Sequence, residues 1–439
     1  MMFGTFAQKD FFEYPQVGTY AGVVINANMA AHAPAGLASF LLGRTKECSY
    51  ILDPLTHAFQ HDPSAVSGPG GETKKSIRTL ADIYGPPADD CVGMRPLRPQ
   101  DFDDQAEREG FVARCLHFQK THLVNYMQED GAAKYLEDDD IKEPAHLVAP
   151  YFFMSETTCS KWLPVNEQLA ARAVDQEAGS ASVVAAVVIS KGLLQRDDLV
   201  EQVVAAVKRT GVSGVLIWVD SFDEVAATTS ELRAFLGMCR SFRDAELSHV
   251  INLHGGYFSL LAGSTAGGNA LTGVTHGPEF GEHRGVVPVG GGIPIARYYV
   301  PQLHSRIRYR DCLRMFQQKD WLASAKAFHE NVCGCDVCKK VLNGDASNFT
   351  EFGASITKSV RRRNGLVRID FPTKEAQQIC LKHYLQRKHR EFHAANEAGS
   401  EVLLRDLQKG IDQFEDVAGD DGVAHLRKWH DIFSARNTT

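Results

Sequence analysis

Eight short apolar runs, spread along most of the chain, constrain the fold more than any other feature of this sequence. Each run is rich in β-branched or aromatic residues and ends in polar or glycine-rich residues, which is the pattern of a buried β-strand. Several are apolar almost throughout, as expected for parallel strands that are covered on both faces. The predicted strands are 20–28, 48–54, 147–155, 182–190, 214–222, 248–256, 270–277 and 296–304.

Helical patterns lie between some of these strands. Residues 196–211 begin with acids and end with a lysine, an arginine and a glycine, as a helix between parallel strands should, and 229–242 is a second such pattern. Eight strands with interposed helices predict an α/β fold of the (β/α)8 barrel type. A doubly wound sheet is the alternative, although no glycine-rich dinucleotide fingerprint follows the first strand.

The segment from about 61 to 146 interrupts this alternation, and we interpret it as an insertion after the second strand. It surrounds a predicted helix near 105–128 and is expected to fold over the mouth of the barrel. The predicted domains are a barrel over 1–330, a small subdomain over 331–395 and a helical extension over 396–439. Further helices are predicted at 312–329, at 373–396 and as a C-terminal pair that continues to 435.

Three of the ten cysteines fall within six residues, in the stretch NVCGCDVCKK. Cys333, Cys335 and Cys338 offer three thiolates in one tight loop, which is how a tetrahedral zinc site obtains three of its four ligands. A redox role is the alternative, but a redox pair is normally an isolated C-x-x-C at the start of a helix. The pattern therefore predicts a structural zinc site with one Zn²⁺ per chain.

The fourth zinc ligand has to come from outside this loop. We favour His383, which lies in a predicted helix 45 residues after Cys338. An ordinary surface histidine on a basic helix is the alternative interpretation of His383. The other candidates for the fourth ligand are His329, Cys380, His389 and His393.

The chain carries a formal net charge of −7, but this charge is unevenly distributed. Residues 331–393 contain twelve lysines or arginines against six acids, and the centre of this basic segment is KSVRRRNGLVR. A basic patch on an acidic protein indicates a local contact with a polyanion such as DNA or tRNA, and a solvated charged face is the alternative. The predicted nucleic-acid-binding residues are Lys358, Arg361, Arg362 and Arg363.

The sequence shows no sign of export or of membrane insertion. No run approaches the roughly 18 apolar residues of a membrane span, and the N-terminal stretch lacks the basic and apolar segments of a secretory signal. We therefore expect a cytoplasmic protein without membrane contact, whose other seven cysteines are reduced thiols.

Polar residues follow several of the predicted strands. In a barrel the carboxyl ends of the strands meet at one mouth, where the chemistry takes place. The residues expected there are Asn26, Asp53, Lys191, Asp220, His254, His276, Glu279, His304 and Arg306. Plainer interpretations stay open, because Asp53 can cap the turn before Pro54 and Asp220 can cap a helix near Phe222. His254 with its two following glycines can equally form a tight turn.

Several of these stretches resemble the tRNA-guanine transglycosylase superfamily, over about residues 45–60 and 180–395. The C-x-C-x2-C motif followed by a helical histidine is the most specific part of the likeness. LDPLTHAFQ, which contains Asp53, is similar to the D-S-G-x-F-Q strand of the family, and WVDSFDE, which contains Asp220, is similar to its middle strand. INLHGGYF is similar to its base-binding Q-G-G strand.

The resemblance implies a glycosyltransferase with a (β/α)8 barrel and a late zinc-binding subdomain, which exchanges guanine for a 7-deazaguanine base in a nucleic acid. Such an exchange needs one carboxylate at the anomeric carbon and another for the proton on the departing base. The implied catalytic pair is Asp53 and Asp220. The implied substrate-binding residues are His254, Gly255, Gly256, Glu279, His304 and Arg306.

The sequence also departs from the pattern of the family. Pro54-Leu55 replaces the serine-glycine step after Asp53, His254 replaces the base-binding glutamine, and the nucleophilic aspartate after the last strand has no clear match. These departures favour a branch similar to the DNA 7-deazaguanine transglycosylases, which place 7-cyano-7-deazaguanine or a relative into DNA. A tRNA substrate stays open, as do a homodimer and partner proteins of a modification system.

Two other functions compete with base exchange. One is a nucleic-acid-binding relative that has lost the nucleophile and is inactive. The other is a barrel hydrolase with a catalytic metal, held by His254, His276, His304 and Asp220.

Overall fold

The computed structural model describes most of the chain, and its residues form two compact units. The described residues are 2–3, 20–43, 48–68, 70–129, 141–178, 181–277, 282–287, 295–362 and 365–435. The first unit comprises Met1–Asp223, Thr228–Gly255 and Asn269–Pro288. The second unit comprises Glu224–Ala227, Gly256–Gly268 and Val289–Thr439, and so includes the segments predicted as a subdomain and as a C-terminal extension.

The first unit is built on parallel strands. Its strands are β1 (Met2–Phe3), β2 (Gly22–Asn26), β3 (Ser49–Asp53), β4 (Leu147–Val148), β5 (Val183–Ile189), β6 (Gly214–Val219), β7 (His249–Asn252) and β8 (Gly273–Val274). They form one parallel sheet in the order β1-β2-β3 and a second, five-stranded parallel sheet in the order β4-β5-β6-β7-β8. An isolated parallel bridge between Ile51 in β3 and His146 beside β4 makes these two strands neighbours.

The central strands of the first unit are buried over their whole length. Every residue of β5, VVAAVVI, and of β6, GVLIWV, is buried. Successive side chains of a strand point to opposite faces, so both faces of these strands must be covered. One face contributes to a core cluster that is shared with residues from other strands and loops. This cluster comprises Val24, Val148, Tyr151, Val184, Ala186, Val188, Leu216, Trp218, Leu253 and Val286.

Helices of the first unit pack on the strands or on one another. They are α1 (Ala27–His32), α2 (Pro34–Gly43), α3 (Lys75–Tyr84), α4 (Ala88–Cys91), α5 (Gln105–Glu129), α6 (Cys159–Gln176), α7 (Lys191–Leu194), α8 (Asp197–Arg209) and α9 (Thr229–Asp244). α8 begins with two aspartates and ends with Lys208 and Arg209, charges that favour both ends of the helix dipole. α9 begins with a capping box formed by Thr228 and Glu231. The two helices predicted between parallel strands are therefore confirmed.

The predicted insertion at 61–146 contains the crossover between β3 and β4. α5 packs against α2, α6 and β4. The buried side chain of Gln119 donates from Nε2 to the Val148 carbonyl at 2.9 Å and accepts from the Val148 amide at 2.8 Å. A connection between adjacent parallel strands needs such a helix. α5 therefore takes the place of a crossover helix between β3 and β4. The expected fold of the insertion over the strand ends stays a prediction.

The second unit is mainly helical, with two short antiparallel sheets. Its helices are α10 (Tyr257–Gly263), α11 (Tyr309–Gln318), α12 (Ala325–Asn331), α13 (Asp336–Leu342), α14 (Lys374–Glu397) and α15 (Ser400–Ser434). β9 (Arg297–Val300) pairs with β10 (Ser305–Arg308), and β11 (Ser355–Arg362) pairs with β12 (Gly365–Pro372). Gly419, with φ at 71°, interrupts α15, so the predicted C-terminal helical pair is confirmed. None of the described helices combines the length and the apolar composition needed to cross a bilayer.

Two predictions fail in the second unit. The eighth predicted strand, at 296–304, is shorter than expected and does not join the parallel sheets in the described residues. A turn follows it at Pro301, and His304 adopts a left-handed conformation with φ at 45°, so that β10 pairs back onto β9. The helix predicted at 312–329 is divided into α11 and α12 near Asp320, where φ is 55°. The fold as described is a mixed α/β fold with parallel sheets.

Candidate functional site

Cys333, Cys335, Cys338 and His383 meet in the second unit. All four residues are buried, and their ligand atoms lie within 4.8 Å of one another. The Nδ1 atom of His383 lies 3.4 Å from the sulfurs of Cys335 and Cys338 and 4.0 Å from that of Cys333. Tetrahedral ligands at about 2.3 Å for sulfur and about 2.0 Å for nitrogen are separated by roughly 3.6 Å. The group therefore has the donors and the spacing to hold a metal ion.

The start of α13 positions the cysteines. Cys335 caps this helix, because its sulfur accepts from the amide of Cys338 at 3.4 Å. Gln386 of α14 accepts from the Val337 amide at 3.3 Å and donates to the Asp336 carboxylate at 2.6 Å. These bonds tie the cysteine loop to the helix that carries His383.

The imidazole of His383 is held from both sides. Its Nε2 atom lies 2.7 Å from the Tyr299 carbonyl, to which it donates, so Nδ1 is directed at the three sulfurs. The ring of Tyr298 stacks on His383 at a centroid distance of 4.2 Å, and its hydroxyl lies 3.2 Å from the sulfur of Cys338. Outer contacts of this kind fix the tautomer and the orientation of a metal-binding histidine.

The pKa values of the four donor groups favour a negative thiolate at Cys333 and a positive imidazolium at His383. Hydrogen bonds with Cys335 and Cys338 hold the pKa of Cys333 well below its usual range, whereas burial raises the pKa of Cys338. Burial alone would lower the pKa of His383, but the Cys333 thiolate raises it to about 9. A divalent cation among these donors would supply the positive charge that the sulfurs attract.

The other candidates for the fourth ligand lie outside this group. His329 bonds to a carbonyl of the cysteine loop at 3.0 Å, Cys380 donates to a carbonyl at 3.4 Å, and His393 pairs with an acid of its own helix at 2.8 Å. His389 is buried in α14, and burial lowers its pKa. In the described part of the chain, the group around His383 is the only cluster of His, Cys, Asp or Glu with metal-binding geometry. None of the ten cysteines forms a disulfide bond.

The four residues suggested for a catalytic metal are not brought together in this way. His276 contacts the Tyr20 hydroxyl at 3.0 Å, and Asp220 accepts backbone and hydroxyl hydrogen bonds. His304 belongs to the second unit, where it pairs with the buried Glu391 at 2.9 Å. The described residues therefore provide no support for a catalytic metal site.

A second cluster of titratable residues lies in the first unit, around Asp53 at the end of β3. The Asp53 side chain is buried, and its Oδ1 atom accepts from the Tyr151 hydroxyl at 2.7 Å and from the Leu55 amide at 3.0 Å. Burial raises the pKa of Asp53, although the bonds from Tyr151 and Leu55 and the charge of Arg284 oppose this shift. Asp53 therefore caps the turn before Pro54 and is also a buried acid with a raised pKa.

Three histidines, His57, His61 and His254, and Trp218 are connected to this acid through Tyr151. The His57 ring stacks on Tyr151 at 5.3 Å, and its Nδ1 atom lies 3.1 Å from the Tyr151 hydroxyl. Trp218 lies between His57 and His254, with ring centroids at 5.1 and 4.9 Å. Burial lowers the pKa of all three histidines, that of His254 to about 3, so these rings are neutral at neutral pH. A neutral imidazole can donate one hydrogen bond and accept another.

Asp220, at the end of β6, is connected to the same cluster. Its Oδ1 atom accepts from the Val286 amide at 2.8 Å, and the Val286 carbonyl lies 3.1 Å from Nε2 of His61. No helix begins near Phe222, since α9 starts at Thr229, so the capping interpretation of Asp220 is wrong. A continuous path of hydrogen bonds and ring contacts therefore joins Asp53, Tyr151, His57, His61, Val286 and Asp220.

Buried polar atoms near these strand ends lack hydrogen-bond partners among the described residues. They are Oδ1 of Asn26, Oδ1 of Asn28 and Nε2 of His254. Asn26 is the register partner of Asp53 on the neighbouring strand. An unpaired buried polar atom costs about 1–3 kcal/mol, and a ligand with complementary donors and acceptors would offset that cost.

The remaining predicted residues have varied positions. Gly255 bonds to the Thr275 carbonyl at 2.9 Å, Gly256 precedes α10, and the guanidinium of Arg306 lies over the Tyr384 ring at 3.8 Å. Glu279 and Arg363 lie outside the described residues. Lys358, Arg361 and Arg362 belong to β11.

Sequence reasoning missed Tyr151 and Arg284, which interact with Asp53. It also missed His57, His61 and Trp218, which are connected to Asp53 only through Tyr151. His57 and His61 had a local signal, because they lie within or next to the LDPLTHAFQ motif.

Comparison of the sequence with models of known protein families finds no match, and comparison with curated proteins finds none either. The function proposed below therefore rests on the motifs of the chain and on the contacts within its two units.

Acidification should destabilise the protein below pH 6.5, because the buried histidines bind protons only in the unfolded chain. The folded-state pKa values of His57 and His254 are lowered, so each histidine contributes stability that is present above the unfolded pKa. This stability is lost as the pH falls from about 6.5 toward the folded pKa. Each histidine should cost about 1.4 kcal/mol between pH 7.5 and pH 5.5, measurable by urea denaturation at both values. His254→Asn should lose correspondingly less stability on acidification, and an unchanged pH dependence in this variant would count against the assignment.

Proposed function

We propose that this protein is a guanine transglycosylase that exchanges guanine for a 7-deazaguanine base, such as 7-cyano-7-deazaguanine, in DNA. The observation that carries the proposal is the Asp53 carboxyl, which is buried at a strand end, has a raised pKa and adjoins unpaired polar atoms. A carboxyl group with a raised pKa retains its proton closer to neutral pH. Such a group can give a proton to a departing base and take one from an incoming base.

Asp220 is the second carboxylate of the proposed mechanism. It attacks the anomeric carbon, or stabilises the positive charge that develops there, while Asp53 handles the proton on the base. The Val286 amide and the Ser221 hydroxyl orient the carboxylate of Asp220 through its Oδ1 atom. The neutral histidines and the unpaired Oδ1 atom of Asn26 supply hydrogen-bonding groups for the edges of the base.

The first unit supports a closed (β/α)8 barrel as its proposed architecture. The strand order runs in sequence from β1 to β8 through the β3–β4 bridge, whereas the order of a doubly wound sheet reverses at a switch point. Tyr20, just before β2, bonds to His276, just after β8, at 3.0 Å. This bond links the last strand, β8, to β2, which pairs with the first strand, β1, and it supports closure of the strand order.

Zinc is the metal proposed for the group of Cys333, Cys335, Cys338 and His383. Three cysteine sulfurs and one imidazole in a single buried group match the ligand preference of Zn²⁺. Four protein ligands leave no open position for a substrate, so the role of the metal is structural.

Guanine release tests the proposed function. The protein should release radiolabelled guanine from duplex DNA when 7-cyano-7-deazaguanine is added. Release from tRNA but not from DNA would show that tRNA is the substrate. Binding of DNA without release would contradict the proposal and would show a nucleic-acid-binding relative without activity.

A further inference from the structure

We propose that the hairpin of β11 and β12, here called the basic ribbon, binds duplex DNA by inserting one of its faces into the major groove. This inference rests on the proposed function only for the choice of DNA as the polymer. The ribbon comprises Ser355–Arg362 paired with Gly365–Pro372 in an antiparallel register.

The register divides the ribbon into two different faces, because alternate residues of a strand point to opposite sides. Ser359 lies opposite Arg368, Arg361 opposite Leu366 and Lys358 opposite Ile369. The first face, called the polar face, carries Thr357, Ser359, Arg361, Leu366, Arg368 and Asp370. Among the residues whose side chains are described, the second face carries Ile356, Lys358, Val360, Val367, Ile369 and Phe371.

Exposure distinguishes these faces as well. All six residues of the polar face are exposed, whereas Val360, Ile369 and Phe371 on the second face are partly buried. On the second face, the Lys358 ammonium lies over the Phe371 ring at 5.4 Å. The polar face is therefore the more exposed of the two faces.

The charge on the ribbon is complementary to a polyanion. Residues 355–372 contain five lysines or arginines and one acid, Asp370. This acid already accepts from the Thr357 hydroxyl at 2.7 Å and pairs with Arg310 at 3.2 Å, which is the only ion pair of the ribbon among the described residues. Arg361 and Arg368 are diagonal neighbours on the polar face, and neither forms an ion pair among the described residues.

The dimensions and chemistry of the polar face suit B-form DNA. Two strands spaced roughly 4.8 Å apart fit a major groove about 12 Å wide, and the groove admits such a two-stranded ribbon. Arginine recognises guanine edges there, and serine or threonine can bond to any base. The major groove of A-form RNA is deep and too narrow for side chains to read. The ribbon is thus suited to a DNA duplex and not to an RNA duplex.

The base of the ribbon is fixed to the metal group. The amide of Thr373 donates to the Ala354 carbonyl at 2.9 Å and closes the base of the hairpin. α14 begins at the next residue and carries His383. The cysteine loop precedes the ribbon and His383 follows it, so a bound metal anchors the chain on both sides. A rigid anchor of this kind holds a recognition element in a defined orientation.

Single charge removals from the two faces test this inference. Arg368→Ala and Lys358→Ala each delete one positive charge from an exposed side chain of the ribbon, so zinc content and melting temperature should stay unchanged in both. Fluorescence anisotropy with a 20-base-pair DNA duplex should show about tenfold weaker binding for Arg368→Ala. The slope of the logarithm of the binding constant against the logarithm of the salt concentration should also become shallower by about one. Lys358 was among the nucleic-acid-binding residues predicted from the sequence, but it lies on the second face beside Phe371. Lys358→Ala should therefore lose less than twofold in affinity for DNA.

Equal losses in both variants, or wild-type binding of an RNA duplex as tight as that of DNA, would overturn the inference. The guanine-release assay separates this failure from that of the proposed function. If the proposed function is right but the ribbon does not bind the major groove, Arg368→Ala should release guanine and should bind DNA as tightly as the wild type. If the function fails but the ribbon inference holds, Arg368→Ala loses affinity for DNA although wild-type protein releases no guanine.

Discussion

Cys335→Ser should lose its zinc and unfold the second unit. Structural zinc contributes about 10–16 kcal/mol to the folding of small zinc-finger peptides, which is comparable to the whole stability of a domain, about 5–15 kcal/mol. A serine hydroxyl stays protonated and is a poor zinc ligand, so three donors remain in a buried group that requires four. Metal analysis should find about one zinc per chain in the wild type and close to none in the variant. The melting temperature should fall by roughly 10 °C or more.

Cys380→Ala is the matched control for this variant. Cys380 is also buried, lies on α14 one helical turn before His383, and donates to the Phe352 carbonyl outside the metal group. This variant should keep its full zinc content and lose little stability. Wild-type stability of Cys335→Ser, or of metal-free wild-type protein, would show that no structural metal is present.

Asp53→Asn should abolish base exchange and yet stabilise the protein at neutral pH. Loss of an essential acid or base typically costs at least ~10²-fold in rate. Because the folded-state pKa of Asp53 is raised, the stability that it contributes is complete below its unfolded pKa of about 3.9 and is lost as the pH rises through the folded pKa. Asparagine never ionises and keeps an oxygen for Tyr151 and Leu55. Thermal unfolding should therefore show a gain for the variant at pH 8 that shrinks toward pH 4.

Two further aspartate variants test whether the loss of base exchange is specific to the proposed catalytic carboxylates. Asp220→Asn should also lose at least ~10²-fold in exchange rate while retaining zinc and DNA binding. Asp223→Asn changes a half-exposed carboxylate three residues away and should retain exchange. Near-normal exchange by both Asp53→Asn and Asp220→Asn would place the chemistry elsewhere.

Local patterns in the sequence were enough to predict the elements that local chemistry determines. β5 and β6 were predictable because strands buried on both faces are apolar at every position. The cysteine loop was predictable from its spacing, and His383 from its place in a helix that follows the loop. The role of α5 was hidden, because polar and glycine-rich stretches surround a helix that packs through buried Gln119.

The surroundings of Asp53 depend on contacts that no local pattern encodes. Tyr151 donates to Asp53 across 98 residues of sequence, and Asp220 reaches His61 through the backbone of Val286. His304, predicted at the barrel mouth, instead pairs with Glu391, which lies 87 residues further on. Distant pairs of this kind form only when the strands and helices are already assembled.

The sequence of the basic ribbon contains a local signal for a β-hairpin, but the run of arginines beside it indicates only a charged surface. An Asn-Gly pair between two alternating stretches favours a hairpin turn. The arginine run before this pair reads first as a charged surface, so the sequence predicted a basic patch without its β structure. The register then separates the basic residues into two faces, a distinction that charge counting does not make.

Nucleoside analysis of treated DNA is the most direct test of base exchange. Duplex DNA with labelled guanine would be incubated with the zinc-loaded protein and 7-cyano-7-deazaguanine, then digested and analysed by mass spectrometry. Exchange predicts one deoxynucleoside of the 7-deazaguanine for each guanine released, with both products absent for Asp53→Asn. Release of guanine without incorporation, or neither product from the wild-type protein on DNA, would contradict the proposed function.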